Sequence, residues 1–248
     1  MDNVIAVCSG KGGTGKTTSA AALSVCLARH GNRVCVIDCD VGLRNLDLVL
    51  GLEDAALFDF ADIIAGRVTA QDAVCAHPMV PGLDFLTAPQ TRESFTDQGF
   101  SGLIRELSGQ YDYVVLDAPA GLGAGFRMAV ENAGQTVIVA NPDTTSLRDA
   151  QQAVVFAREI DSGSKIWLLV NRLRRSLLRV AKKNVDDIID TVGAQLIGIV
   201  REDPDVSSAG ETGVPLTMYR EARVRSACAQ FDRIAARLTG ESIPLGLI

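Results

Sequence analysis

The chain has 248 residues, a net charge of −6, 47% hydrophobic residues and 22% charged residues. This composition is typical of a globular protein and excludes a largely disordered chain. The acidic balance, 30 Asp and Glu against 24 Lys and Arg, disfavours a strongly basic nucleic-acid-binding module but leaves a local basic patch open. The sequence contains no internal repeat, low-complexity segment or linker, so we expect one domain over residues 1–248.

Short apolar runs alternate with longer helical patterns along the chain. The runs are rich in Val, Ile and Leu without polar alternation, which is typical of parallel strands buried on both faces. They predict strands at residues 4–8, 33–37, 83–86, 113–116, 136–140, 166–170 and 196–200. Helical periodicity predicts helices at residues 16–30, 97–108, 145–159, 177–191 and 220–238. This order predicts an α/β fold: a mostly parallel, twisted sheet flanked by helices on both faces.

A glycine-rich segment, GKGGTGKT at residues 10–17, follows the first predicted strand and opens the first predicted helix. It satisfies G-x-x-x-x-G-K-[ST], the pattern of a phosphate-binding loop (P-loop). Glycines let backbone N–H groups approach phosphate oxygens, and a helix N-terminus favours an anion. We expect Lys16 to bridge the β- and γ-phosphates and the Thr17 hydroxyl to bind Mg²⁺. The predicted nucleotide-binding residues of this segment are Gly10, Lys11, Gly12, Gly13, Thr14, Gly15, Lys16, Thr17 and Thr18.

The same segment also fits G-x-G-x-x-G, the fingerprint of dinucleotide-binding folds. Asp38, at the end of the second predicted strand, even supplies the acid that this fingerprint requires. The fingerprint does not need Lys16 and Thr17, nor a second acid at a strand end, which Asp117 provides. An apolar strand that ends in Asp is typical of a Walker B element, whose carboxylate faces Mg²⁺. The sequence therefore favours a nucleoside triphosphatase over a dinucleotide enzyme.

Lys11 adds a second cation to the loop, and the segment KGGTGKT resembles the deviant Walker A motif of the MinD/ParA family of ATPases. DCDVGLRNLD at residues 38–47 resembles switch I of the MinD branch of that family, and DAPAG at residues 117–121 resembles its Walker B and switch II. NPD at residues 141–143, followed by SLRDA, resembles the segment after the next strand. The resemblance extends from residue 1 to about residue 240.

The resemblance implies an ATPase with ATP and Mg²⁺ as cofactors, which dimerises face to face on ATP binding and acts as a spatial switch in septum placement. Lys11 is then expected to reach the phosphates of the partner subunit, as a cation supplied in trans. Asp40 is expected to orient or activate the attacking water, whereas Asp38 and Asp117 hold Mg²⁺ through water beside Thr17. A role of Asp38 and Asp40 in capping a helix or closing a turn stays open.

The resemblance also implies two residues at the nucleotide base. Asn171 ends a predicted strand, and an amide can read the adenine edge with both a donor and an acceptor. Asp203, after the strand predicted at residues 196–200, is expected near the same base. The family usually has Pro where this chain has Arg201, and Pro204 follows three positions later, so the chain departs from the family pattern in this loop.

The expected partners are a second copy of the chain when ATP is bound and protein regulators of septum placement. MinD relatives usually end in a basic amphipathic helix that docks on membranes, whereas residues 240–248 contain no Lys or Arg. An anionic membrane surface is therefore a weaker expectation, and DNA a weaker one still. A basic run predicts a solvated helix face with a little nucleotide contact, or a surface for DNA or lipid, and it comprises Arg172, Arg174, Arg175, Arg179, Lys182 and Lys183.

The chain lacks a leader-like segment and a long apolar run, so we expect a cytoplasmic protein that can lie at the inner face of the cell membrane. The six cysteines form no CxxC pair and are expected to be buried thiols. The two histidines, His30 and His77, are expected at the surface. Two alternatives to a septum-placing ATPase stay open: a ParA-like ATPase that binds non-specific DNA, and an ATP-binding scaffold with little turnover.

Overall fold

The computed structural model describes residues 1–174, 184–219 and 226–245. The strands of these residues are β1 (Val4–Cys8), β2 (Val34–Asp38), β3 (Cys75–Ala76), β4 (Leu83–Leu86), β5 (Tyr113–Asp117), β6 (Gln135–Ala140), β7 (Lys165–Leu173) and β8 (Gln195–Arg201). The α-helices are α1 (Lys16–Arg29), α2 (Leu46–Leu50), α3 (Phe60–Ile64), α4 (Ala70–Ala73), α5 (Asp97–Gln110), α6 (Ala124–Glu131), α7 (Thr144–Ile160), α8 (Val185–Val192), α9 (Pro204–Thr212), α10 (Leu216–Tyr219) and α11 (Ala227–Leu238).

One sheet contains all the described strands, in the order β3-β4-β2-β5-β1-β6-β7-β8. Every neighbouring pair is parallel except β3 with β4, which is antiparallel. The prediction of a mostly parallel sheet is therefore confirmed. Only β3 was missed, because two residues are too few to show a pattern.

The two faces of the sheet are both covered, as β1 illustrates. Val4, Ala6 and Cys8 enter a hydrophobic cluster with residues of α3, α5, α6, α7 and α8. Ile5 and Val7 point the other way, into a cluster with α1, α2 and α11. Successive side chains of a strand face opposite sides, so an uninterrupted apolar run requires cover on both. The expected helical layers on both faces are confirmed.

The predicted elements and the observed ones differ mainly at their boundaries and in short helices. The helix predicted at residues 177–191 is observed as α8, and the one predicted at residues 220–238 is observed as α11; residues 177–183 and 220–225 lie outside the described residues. The helices that were not predicted are α2, α3, α4, α6, α9 and α10. Each of them has four to nine residues, too few for a convincing helical period.

The expected surface position of His77 is wrong. Its side chain is only 5% exposed, and its Nε2 lies 3.0 Å from the carbonyl oxygen of Leu50 at the end of α2. The Met79 N–H donates to Nδ1 at 3.1 Å, so Nε2 carries the proton and donates to Leu50. Burial lowers the pKa of His77, which keeps the ring neutral. His30 is exposed, as expected.

The cysteines are free thiols and are buried except for Cys75, which is half-buried. No described helix has both the length and the apolar character needed to span a membrane. The carboxyl ends of the parallel strands meet along one edge of the sheet, which is where open α/β sheets bind ligands. The loops after β1, β2, β5 and β7 therefore define the candidate site.

Candidate nucleotide site

The P-loop between β1 and α1 is shaped by glycine. Gly13 and Gly15 have φ values of 79° and 88°, in the left-handed region that glycine adopts without strain. A Cβ atom at Gly15 would also collide with the amide of Asn171. No side chain caps α1 at Gly15, so the N–H groups of its first turn are left for an anionic ligand.

A buried ion pair lies at the base of the cleft that the P-loop encloses. The Lys16 ammonium donates to Asp117 Oδ1 at 2.8 Å and to Thr17 Oγ1 at 3.2 Å. The side chains of Lys16 and Asp117 are only 7% and 1% exposed. Burial raises the pKa of the Asp117 carboxyl, and the Lys16 charge opposes that rise. The predicted phosphate-binding lysine and the predicted Walker B acid are thus direct neighbours.

Asp38 lies beside this pair, because Asp38 on β2 and Asp117 on β5 are register partners. Its Oδ1 accepts from the Asp40 N–H at 2.8 Å, and its Oδ2 accepts from the N–H groups of Asn45 and Leu46, both at 3.1 Å. Burial and the Asp117 charge raise the pKa of Asp38 to about 6, although the backbone hydrogen bonds lower it. Asp38 therefore caps α2 and shapes the switch I segment, the role that the sequence left open.

The donor set fits a Mg²⁺-nucleotide. The Thr17 hydroxyl and the carboxylates of Asp38 and Asp117 are hard oxygen donors, the kind that Mg²⁺ prefers. The P-loop, Asp40 and Asn45 line the cleft beside these donors. In the described ranges, no group of three or more His, Cys, Asp or Glu side chains could hold a metal. Thr17, water and the phosphates of a bound nucleotide would complete a magnesium shell at these carboxylates.

Lys11 and Asp40 both line this cleft, but Lys11 points towards α7. Its ammonium lies 3.4 Å from Asp143 Oδ1 and 4.0 Å from Asp149 Oδ2, and its side chain is 32% exposed. Partly exposed ion pairs of this kind contribute about 0–1 kcal/mol. Lys11 can therefore exchange these carboxylates for a phosphate at little cost.

A second cleft adjoins the first and shares Gly15, Thr18 and Arg172 with it. Asn171 lines this cleft, and its Nδ2 donates to the Thr14 carbonyl at 2.8 Å. This hydrogen bond from the Asn171 side chain to the P-loop holds the end of β7 against the loop. Asn171 and Asp203, the two residues expected at the nucleotide base, both line this second cleft, which we therefore call the base cleft.

Asp203 also lines the second cleft, and both of its carboxylate oxygens have backbone donors. Oδ1 accepts from the Asp205 N–H at 3.0 Å and caps α9, whereas Oδ2 accepts from the Ala227 N–H at 2.9 Å at the start of α11. Pro204 is the first residue of α9, where a proline fits without losing a helical hydrogen bond. The contacts of Asp203 tie the predicted base loop to α11.

One cleft residue was not predicted as nucleotide-binding. Arg172 was assigned to the basic run, for which only a little nucleotide contact was expected, and the structure shows that it lines both clefts. The available signal was its position directly after Asn171 at the end of a strand. Arg174 of the same run pairs with Glu202, and the other members, from Arg175 to Lys183, lie outside the described residues.

Comparison with known families agrees with this site. The profile described as the CobQ/CobB/MinD/ParA nucleotide binding domain matches residues 5–216, most of the chain. The chain belongs to the MinD/ParA family. The matched range includes the P-loop, both strand-end acids and every residue that lines the base cleft except Phe231, so the family match and the site geometry concern nearly the same residues.

Individual relatives are similar over nearly the whole chain. The septum site-determining protein MinD of Synechocystis is 39% identical over 98% of this chain and 92% of its own length. The MinD of a MinC:MinD complex from Aquifex aeolicus superposes with a TM-score of 0.89 at 35% identity, covering 99% of this chain and 98% of that one. MinD of Pyrococcus horikoshii, solved with Mg-ADP, has a TM-score of 0.83 at 28% identity and 95% coverage of both chains.

These similarities agree with the activity expected from the sequence. The chain is a MinD-like, Mg²⁺-dependent ATPase of the type that determines the septum site. The prediction of a P-loop ATPase of the deviant Walker A type is confirmed, and so are its nucleotide and magnesium cofactors.

Proposed function

We propose that this protein is an ATP-operated dimerisation switch in septum placement, and that Lys11 of one subunit completes the site of the other. The position of Lys11 carries the proposal. It is a cation on the P-loop that does not contact the Lys16–Asp117 pair of its own site and is held instead by Asp143 and Asp149. A face-to-face partner offers the phosphate that such a cation needs.

The remaining residues of the site divide the work. Lys16 and the unbonded N–H groups at the start of α1 bind the phosphates of the same subunit. Asp40 lines the phosphate cleft, where a carboxylate can orient the attacking water. Asp38 holds switch I through the N–H groups of Asp40, Asn45 and Leu46. Bound Mg²⁺ supplies positive charge at the phosphate oxygens, with Thr17, Asp38 and Asp117 as the residues that would hold it.

The test compares Lys11→Ala with Lys165→Ala. Lys165 is an exposed lysine at the amino end of β7, whereas the P-loop lies at the carboxyl ends of the strands. Its replacement therefore controls for the loss of one charge. Light scattering with ATP or ADP measures the dimer, and phosphate release measures hydrolysis. We expect the parent and Lys165→Ala to dimerise with ATP only. We expect Lys11→Ala to bind Mg-ADP, stay monomeric with ATP and hydrolyse ATP about a hundredfold more slowly.

The outcome that contradicts the proposal is equally specific. If Lys11→Ala still dimerises with ATP and hydrolyses it at the parent rate, Lys11 does not act in trans. If the parent binds ATP tightly but releases no phosphate with or without a regulator, the protein is a nucleotide-binding scaffold. ATP-dependent retention on non-specific DNA, lost at raised salt, would favour the partition alternative.

A protein regulator is the second part of the proposal. The Aquifex relative was solved with MinC, which supports a partner of that kind for this chain. The exposed face of α7 is our choice for its surface, because Val155 is 51% exposed there and because the helix begins beside the Lys11–Asp143 pair. Val155→Glu is expected to abolish co-sedimentation with a MinC-type partner without changing Mg-ADP affinity. Unchanged partner binding would contradict this surface.

Membrane association and the cytoplasmic location stay predictions. Sedimentation with anionic liposomes in ATP against ADP tests the membrane association on this chain. Pelleting only with ATP would support a membrane surface on the ATP-bound protein, and pelleting with neither nucleotide would contradict it. Equal behaviour with both nucleotides contradicts ATP-dependent membrane association.

A further inference from the structure

The end of β7 has an unusual backbone at Arg172. The pairing of β7 with β8 shifts register between Val170 and Leu173, and Arg172 lies within this irregularity. Its φ value is 52°, in the left-handed region that residues other than glycine rarely adopt. The neighbouring Asn171 is hydrogen-bonded to the Thr14 carbonyl, so this strained turn is fixed against the P-loop.

The turn aims a cation at the junction of the two clefts. Arg172 is exposed and lines both the phosphate cleft and the base cleft, together with Gly15 and Thr18 of the P-loop. Within residues 1–174, 184–219 and 226–245, no carboxylate forms an ion pair with its guanidinium. Arg174, two positions later, is paired with Glu202. Among the described residues, Arg172 is therefore a cation without a paired carboxylate, and its backbone position is set by the turn at the end of β7.

A nucleotide that occupies both clefts must cross this junction. With the terminal phosphates at Lys16 and the base between Asn171 and Asp203, as proposed above, the α-phosphate and the ribose would pass between Gly15 and Arg172, which line both clefts. A guanidinium presents several N–H donors in a plane and suits a phosphate oxygen well.

We propose that Arg172 is a nucleotide-binding residue that contacts the α-phosphate of a nucleoside di- or triphosphate. This inference rests on the proposed function, since it needs the nucleotide to occupy these clefts. The α-phosphate is common to ATP and ADP, so Arg172 strengthens the binding of both nucleotides by the same factor. Lys11, by contrast, affects only the ATP-bound dimer. Strained backbone is retained mainly at functional sites, and a strained arginine at this junction agrees with that rule.

The experiment uses two substitutions at Arg172 and one control. Arg172→Gly removes the guanidinium and also relieves the positive φ, so we expect the nucleotide-free protein to melt at or above the parent temperature. Arg172→Lys keeps a charge but loses the planar donors. Arg67→Ala is the charge control, since Arg67 is exposed, pairs with Asp62 and lies outside both clefts. Titration calorimetry measures the Kd for Mg-ATP, Mg-ADP and inorganic pyrophosphate.

We expect Arg172→Gly to raise the Kd for ATP and ADP by about tenfold each, and Arg172→Lys to raise both by less. Pyrophosphate, which has no α-phosphate ester and no ribose, is expected to bind the parent and Arg172→Gly equally. Kd values of Arg172→Gly within twofold of the parent for both nucleotides would overturn the inference but leave the proposed function intact. A loss confined to ATP would place Arg172 at the γ-phosphate and also overturn it. A parent that binds neither nucleotide would refute the proposed function itself.

Discussion

Replacing Lys16 by Met tests the buried ion pair at the centre of the site. The pair is 2.8 Å long, and its side chains are only 7% and 1% exposed, so Lys16→Met leaves the Asp117 carboxylate buried without its counter-charge. Removing one partner of a buried ion pair typically costs about 3–5 kcal/mol, because the other charge stays desolvated. We expect a loss of about 3 kcal/mol in the unfolding free energy of the nucleotide-free protein at pH 7.5. Asp117→Asn is expected to cost less, because Lys16 borders the open cleft.

Urea unfolding of the parent, both single variants and the double variant completes a mutant cycle. The double variant has no unpaired charge, so we expect it to be more stable than Lys16→Met, with a coupling energy of about 2 kcal/mol. The loss in Lys16→Met is expected to shrink at low pH, because burial already raises the pKa of Asp117 and a protonated carboxyl needs no counter-charge. Additive effects of the two substitutions, or a loss below about 1 kcal/mol in Lys16→Met, would refute the reasoning.

The remaining predictions concern two other buried groups. The Thr14 hydroxyl is buried without a hydrogen-bond partner among the described residues, so Thr14→Val is expected to raise the unfolding free energy by about 1 kcal/mol. A decrease in urea unfolding would contradict this prediction. The pKa of Asp38 is about 6 in the fold, above the value of about 4 in an unfolded chain, so its ionisation opposes folding. The protonated Asp38 therefore leaves the free energy of unfolding at its full value below pH 4. That free energy falls by about 3 kcal/mol as the pH rises through 6 and the carboxyl ionises. We therefore expect the free energy of unfolding to fall between pH 4 and pH 7 in the parent, and not to fall for this reason in Asp38→Asn. Equal falls in both proteins would show that another group is responsible.

The sequence by itself determined the elements that depend on local pattern. The apolar runs predicted seven of the described strands, and their lack of alternation predicted cover on both faces. The P-loop is a contiguous motif between a strand and a helix, so its glycines and Lys16 could be identified from the sequence alone. Asp38 and Asp117 were also placed correctly at one edge, because parallel strands bring their carboxyl ends together.

The short helices and β3 were not accessible in the same way. A helix such as α10, with four residues, is stabilised by packing against its neighbours and shows no periodicity of its own. The burial of His77 likewise depends on the contact of its ring with the carbonyl oxygen of Leu50 at the end of α2, and no local sequence pattern predicts this contact.

Only the tertiary structure decided what the site residues contact. Lys11 meets Asp143, 132 residues away, and Asn171 meets the carbonyl of Thr14, 157 residues away. The sequence placed Arg172 in a basic run, whereas the structure shows that it lines the cleft, because β7 ends in a left-handed turn beside the P-loop. A sequence pattern records which chemistry a residue offers. Pairing between distant residues is set by sheet order and register, because these fix which strand ends become neighbours in space.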